Sequence, residues 1–315
     1  MSRGQDPAWI WTRYWQRGEH DDCLWSTLNL AAIWRNYLSG FEDGARLLDL
    51  ATGSGEAAEL AARTARKLKR AFEIDAVDAA SLPEVLTQRM CKSGVRLMGE
   101  IDVGALPFED GSYDGVFSQF GIEYGGRPAA FREAARVLRA NGRGLFVMHH
   151  NESVVTRTCA TRLALHRDVI GPTQCFAVAK QFFTSHLLGG SPGALQQAET
   201  KLRNEVAVLR HRLGEPPSDP NLAPVVRFLS EIAVSPARYD PADALRRLEF
   251  AQEEITSWRL RQEAQQAAAL DAAEMDVIGG CLVEAGLEVA PPETVRDGNG
   301  EIAAWALHVR RGSAA

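Results

Sequence analysis

The chain has 315 residues, 45% of them apolar and 24% charged, with 35 Lys and Arg against 41 Asp and Glu for a net charge of −6. That balance excludes a disordered or fibrous chain and argues against a general nucleic-acid binder, whose surface must neutralise phosphates. No apolar run approaches the ~20 residues of a membrane helix, so a membrane span is not expected.

The first 40 residues lean towards helix and carry five of the seven tryptophans: Trp9, Trp11, Trp15, Trp25 and Trp34. They have no apolar segment of the secretory kind. The five cysteines are scattered and form no CxxC pair, which fits neither a disulfide framework nor a zinc site, and no metal is expected. The expectation is a reduced, cytoplasmic protein.

From Ala45 the pattern changes. ARLLDLA has the length of a buried strand and leads through TGSGE into an Ala-rich helix ending near Leu68. AFEIDAVDAA supplies a second strand, ending near Asp78. A helix over about 82–92 follows, then VRLMGEID, the turn-rich ALPFEDGS, and the strand YDGVFSQFGIEY. A helix over about 128–139, an Asn141-Gly142 turn and the strand GLFVMHH complete the run. Strands alternating with helices at this spacing predict βαβ units and a largely parallel sheet covered on both faces.

Between Asn151 and about Asp271 the sequence predicts helices only. Ser191 and Pro192 open one of them as N-cap and first residue. Its apolar positions Leu195, Ala198, Leu202, Val206, Leu209 and Leu213 form a seam that either dimerises or packs on its own domain. Pro216, Pro217, Pro220 and Pro224 mark a loop, and a long helix after Asp240-Pro241 carries Leu245, Leu248 and Ile255 on one face. The pattern of the sheet resumes with the helix DAAEMDVIGGCLVEAG, the strand LEVAPPETV and the strand IAAWALHVRR; the turn RDGNGE predicts an antiparallel hairpin from the last two. The expected organisation is a cap over 1–44, a sheet core over 45–150, a helical insertion or lid over 151–270, and a closing helix and hairpin over 271–315.

The stretch LLDLATGSGEAAEL, residues 47–60, carries the chemistry. Glycines at a strand-to-helix turn let backbone approach a ligand, and the helix start offers unpaired N–H groups. Gly53, Gly55 and Ala58 also satisfy the G-x-G-x-x-G/A dinucleotide pattern, so a nicotinamide oxidoreductase is an alternative. Asp49 tilts the reading: at the strand end its carboxylate suits a cationic amino acid group and repels a pyrophosphate. Asp78 ends the second strand, placed to accept from ribose hydroxyls, with Asp75 as its rival.

Taken together, DLATGSG, AVDAAS, GEIDVGALPFEDGSYDGVFSQFGIEY and ARVLRANGRGLFV resemble the class I S-adenosylmethionine-dependent methyltransferases, the ubiquinone/menaquinone-biosynthesis type among them. The likeness covers about 45–150 and, more loosely, 271–310. It implies a Rossmann-like α/β fold, a seven-stranded, mostly parallel sheet ending in an antiparallel hairpin, with S-adenosyl-L-methionine as cofactor. By motif, Asp49, Ala51, Gly53 and Gly55 surround the methionine part, with Ala51 standing where the family has its first glycine. Asp78 holds the ribose, Asp102 accepts from the adenine amino group with Val103 against the ring, and Gln119, Phe120 and Gly121 floor the sulfonium.

Methyl transfer from a sulfonium is an in-line displacement, so alignment supplies much of the acceleration, and a base is needed only where the acceptor loses a proton. His149, His150, Tyr124 and Glu123 are the candidates. Adjacent strand residues face opposite ways, so one of His149 and His150 at most points into the cleft. Tyr14 and His20 are candidates to close over the cofactor, and the tryptophans are either a packing device or an aromatic cage. The expected reaction is methyl transfer to a small-molecule acceptor, with no nucleic-acid partner; a non-catalytic cofactor-binding protein is the third alternative. The insertion is expected to shape acceptor choice and is the candidate for a homodimer contact.

Overall fold

The computed structural model describes residues 7–16, 30–167, 174–214 and 222–313. These group into two compact units, 1–158 with 264–315, and 159–263.

The first unit is built on one sheet. Its strands are β1 (Arg46–Leu50), β2 (Glu73–Val77), β3 (Val95–Met98), β4 (Tyr113–Gln119), β5 (Leu138–Met148), β6 (Leu287–Val289), β7 (Glu293–Arg296) and β8 (Ile302–Arg311). The order is β3-β2-β1-β4-β5-β8-β6, with β7 also on β8. The first five pair in parallel, and β8 runs antiparallel to β5, β6 and β7.

Helices α1 (Pro7–Gln16), α2 (Ala31–Ser39), α3 (Glu56–Leu68), α4 (Glu84–Ser93) and α5 (Ala129–Val137) belong to this unit, as does the later α11 (Ala272–Glu284). The strands read as continuous apolar runs because both faces are covered. Leu47, Phe117, Leu145 and Val147 pack with Trp34, Ala58 and Met90 on one side. Leu48, Val116, Phe146 and Met148 pack with Phe131, Met275 and Leu282 on the other.

Two expected elements differ in detail. The Asn141-Gly142 turn is present, with Asn141 at φ 61, but it lies inside β5. Leu138 already pairs with Tyr113, and the ladder resumes only at Arg143 opposite Gly115, so residues between them bulge out. The expected strand LEVAPPETV is two strands on the same partner. Pro291 and Pro292 lack the N–H a ladder needs and separate β6, on the far end of β8, from β7, which makes the predicted hairpin.

The second unit holds most of α6 (Val154–Leu165), α7 (Cys175–Leu187), α8 (Pro192–Leu213), α9 (Ala223–Val234) and most of α10 (Pro241–Ala268). Ser191 caps α8 by accepting from the Ala194 N–H. Of the α8 seam, Leu202, Val206 and Leu209 are buried in this unit's own core with Phe183, Leu229, Ile232, Leu248 and Trp258. These three positions pack within the unit, which is the packing alternative. Pro224 falls in the first turn of α9, where its missing N–H is tolerated; Pro216, Pro217 and Pro220 lie outside the described residues. Among the described residues no helix is long and apolar enough to cross a membrane.

Candidate active site

The carboxyl ends of parallel strands are where an α/β sheet presents its loops to a ligand. Here the loops after β1, β2 and β4 come together. Asp49 is 1% exposed. Its Oδ2 accepts from Thr52 Oγ1 at 2.6 Å and from the Ala58 N–H at 3.1 Å. Burial, with Asp78 nearby pushing the same way, outweighs these bonds and raises the carboxyl to about 7. The chain turns sharply next: Ala51, Gly53 and Gly55 all have positive φ, at 50, 55 and 79°. Ala51 thus adopts the left-handed backbone that its glycine counterpart in the family adopts freely.

Asp78 ties the first two loops together. Its Oδ2 accepts the Gly53 N–H at 2.8 Å and its Oδ1 the Ala80 N–H at 2.9 Å. One bond on each oxygen leaves each with a further lone pair. Asp75 is spoken for elsewhere, gripped by Arg96 Nε and Nη2 at 2.7 Å each and by the Tyr113 hydroxyl at 2.6 Å. Of the two rivals, Asp78 therefore lies beside the glycine loop.

After β4, Gln119 accepts from the Trp34 indole N–H. Phe120 follows at φ 52, its N–H donating to Val147 O at 2.8 Å. Gly121 lies so close to the β1 loop that a Cβ there would stand 2.6 Å from both Ala51 Cβ and Ala51 O. Asp102 is exposed and caps its own turn through the Gly104 N–H at 2.8 Å. Val103 is buried in the core, against Gly125. The 106–110 stretch beyond them is held by Arg136, which donates to Glu133, to Asp110 and to the carbonyls of Leu106 and Phe108.

Helix α1 lies over these loops. Trp15 covers Gly53, where an added Cβ would meet its ring at 2.4 Å and therefore clash. Thr12 Oγ1 accepts the Ser81 N–H at 2.9 Å after β2. The Trp11 ring meets Tyr124 edge-on at 5.2 Å, and Tyr14 packs on Trp15. His20 and Trp25 lie outside the described residues. Sequence reasoning noted the tryptophans without seeing that three strand-end loops share one helix. The spacing Trp11, Thr12, Trp15 on a single helical face is the signal for it.

The two histidines after β5 part ways. His149 is buried, bonded to Glu123 and 3.1 Å from Gln265 Nε2, with Phe120 and Tyr124 edge-on to it. His150 stacks on Trp305 at 4.3 Å, accepts the Glu152 N–H on Nδ1, and pairs with Leu270. Only His149 joins the loop cluster. Gln265, far away in sequence, carried no motif.

A glycine turn between two acidic strand ends, on a sheet of this order, is the arrangement expected from the resemblance to class I S-adenosylmethionine-dependent methyltransferases. Residues 48–146 match the family described as methyltransferase domain. S-adenosylmethionine is the methyl donor of that family. Over 99 residues, 31% of this chain and 41% of the relative, it is 36% identical to the demethylmenaquinone methyltransferase of Thermotoga maritima. Over 113 residues, 34% of the chain and 46% of the relative, it is 33% identical to the ubiquinone/menaquinone biosynthesis C-methyltransferase of Geotalea uraniireducens. The match thus spans less than half the length of these curated relatives. Among solved structures, the 1,6-didemethyltoxoflavin-N1-methyltransferase of Burkholderia thailandensis aligns over 96% of this chain and 85% of its own, at 13% identity and a TM-score of 0.44.

Proposed function

We propose that the chain transfers the methyl group of S-adenosylmethionine to a small-molecule acceptor. The observation that carries this reading is the buried pair Asp49 and Asp78 on either side of the glycine loop. A carboxyl that burial drives up to about 7 is relieved by a cation, and the cofactor's ammonium is one. Asp78, with a lone pair left on each oxygen, suits a pair of adjacent ribose hydroxyls. Asp49 repels a pyrophosphate, which counts against a dinucleotide, whereas the ribose contact of Asp78 serves either cofactor.

On this reading Asp49 with the Ala51–Gly55 turn holds the methionine part, Asp78 the ribose, and Asp102 the adenine amino group. Val103 backs the base from the core, and the Gln119–Gly121 loop floors the reacting centre. When bound, S-adenosylmethionine supplies a methyl carbon made electrophilic by its sulfonium. The protein's part is to align the acceptor with that carbon and exclude water. Trp11, Phe120, Tyr124 and His149 give an aromatic surround that suits a flat organic acceptor. The relatives named for quinone precursors share the cofactor half of this chain, and a shared cofactor site does not carry the acceptor with it.

Calorimetry of the full chain with S-adenosylmethionine, S-adenosylhomocysteine and NAD tests the reading. Binding of the first two without NAD is the expected outcome. NAD binding in the absence of either sulfur cofactor overturns it.

A further inference from the structure

Just after β5, His149 is held by partners that fix the state of both ring nitrogens. It is 4% exposed. The Gln265 amide nitrogen lies 3.1 Å from its Nε2. An amide nitrogen only donates, so Nε2 presents its lone pair. The proton of the neutral ring is then on Nδ1, 2.6 Å from Glu123 Oε1. The same oxygen accepts the His149 backbone N–H at 2.9 Å, which ties the carboxylate to the strand end as well as to the ring.

Glu123 is 2% exposed, and its second oxygen is buried with no hydrogen-bond partner. Phe120 and Tyr124 wall that ring at 4.5 and 5.7 Å between centroids, keeping the local dielectric low. Glu123 and Tyr124 are the titratable groups that meet the ring among the described residues. Phe120 is also the chain neighbour of Gly121, which abuts Ala51 in the loop after β1.

Resting on the methyl-transfer reading, we propose that His149 Nε2 takes the proton of the methyl acceptor. Glu123 is the positioning residue that orients the ring and stabilises the imidazolium. The Gln265 amide holds the place of the acceptor's own donor. The acceptor we infer carries its transferable proton on O–H or N–H, the groups that can donate to Nε2 as Gln265 does; a thioether or tertiary amine has no proton to give. The O–H or N–H bond breaks with its electron pair left on the heteroatom. That pair makes the bond to the methyl carbon, the carbon–sulfur pair returns to sulfur, and the proton rests on Nε2 until water takes it.

The test uses the full chain with isotope-labelled histidine, saturated with S-adenosylhomocysteine, and follows the ring nitrogens by NMR. The neutral ring is expected to be protonated on Nδ1 and bare on Nε2. Phenol, as a protic probe, should shift the Nε2 resonance, whereas anisole, with no proton to donate, should not. Glu123→Gln should keep S-adenosylhomocysteine affinity and shift the Nδ1 resonance, because the charged acceptor of the Nδ1 proton is gone. Gln265→Leu, by removing the competing donor, should tighten phenol several-fold. A ring protonated on Nε2, equal responses to phenol and anisole, or an unmoved Nδ1 resonance in Glu123→Gln overturns this proposal alone. Failure of S-adenosylhomocysteine to bind in calorimetry overturns the methyl-transfer reading with it.

Discussion

Asp49 carries a conflict between stability and binding that a pH series can expose. Its carboxyl titrates at about 7 in the fold, against 3.8 for the unperturbed group, because burial disfavours the charge. Between those values the folded chain holds a proton that the unfolded chain releases. The stability this group contributes is therefore fully present below the unfolded value and lost as pH rises through about 7. Asparagine keeps an acceptor for Thr52 and Ala58 and carries no charge. Asp49→Asn should accordingly be more stable than the parent above neutrality, by ~2–4 kcal/mol, with the gap closing on acidification. The same variant should lose S-adenosylmethionine affinity at every pH, while the parent loses it only as Asp49 protonates below about 7. Denaturant melts of the ligand-free proteins across pH check the first part, and a gap that does not change with pH would sink it.

At the scale of elements, α1 behaves as a roof whose three supports are Trp15 on Gly53, Thr12 on Ser81 and Trp11 on Tyr124. Each support belongs to a different strand-end loop, so the helix registers those loops against one another. Trp15→Ala should weaken S-adenosylhomocysteine binding by roughly tenfold, about 1.4 kcal/mol. Gly53→Ala should also weaken it, through a Cβ that collides with Trp15 and a φ of 55° unfavourable to alanine. Because Trp15 causes part of that second loss, the double variant should fall short of the sum by on the order of 1 kcal/mol. Calorimetry on the four proteins measures the coupling, and simple additivity would show that the helix does not bear on the loop. The strand runs, Asp49, the glycine turn and Asp78 were legible in the sequence because each is local: a periodicity, a strand end, a backbone conformation. Neither the Arg136 clamp on residues 106–110 nor the Trp34 bond to Gln119 was, since both join residues far apart in sequence with no periodicity to announce them. Gln265 escaped for the same reason. The choice between His149 and His150 was half legible: alternation said that one would turn away, and only packing on Trp305 says which.

At the scale of the whole molecule, the sheet unit is complete without the helical one. Both of its apolar clusters are drawn from residues 30–155 and 270–309, and the helical unit keeps a core of its own. The insertion also leaves and returns at neighbouring points: Cys159 Sγ donates to the Gln262 carbonyl at 2.9 Å. A short flexible linker can therefore replace residues 159–263 without stretching the chain. Cofactor binding, which we assign to the loops after β1, β2 and β4, should survive that replacement within a few-fold. Turnover should not survive it if the insertion chooses and aligns the acceptor, since lost alignment costs on the order of 100-fold or more. In the chain, the insertion departs after His149 and His150 and rejoins just before Gln265. Calorimetry with S-adenosylhomocysteine and a methyl-transfer assay on a panel of phenols and amines separate the two effects. Intact binding with lost turnover assigns acceptor choice to the insertion. Unchanged turnover with the linker in place would return that role to α1 and the aromatic residues around His149.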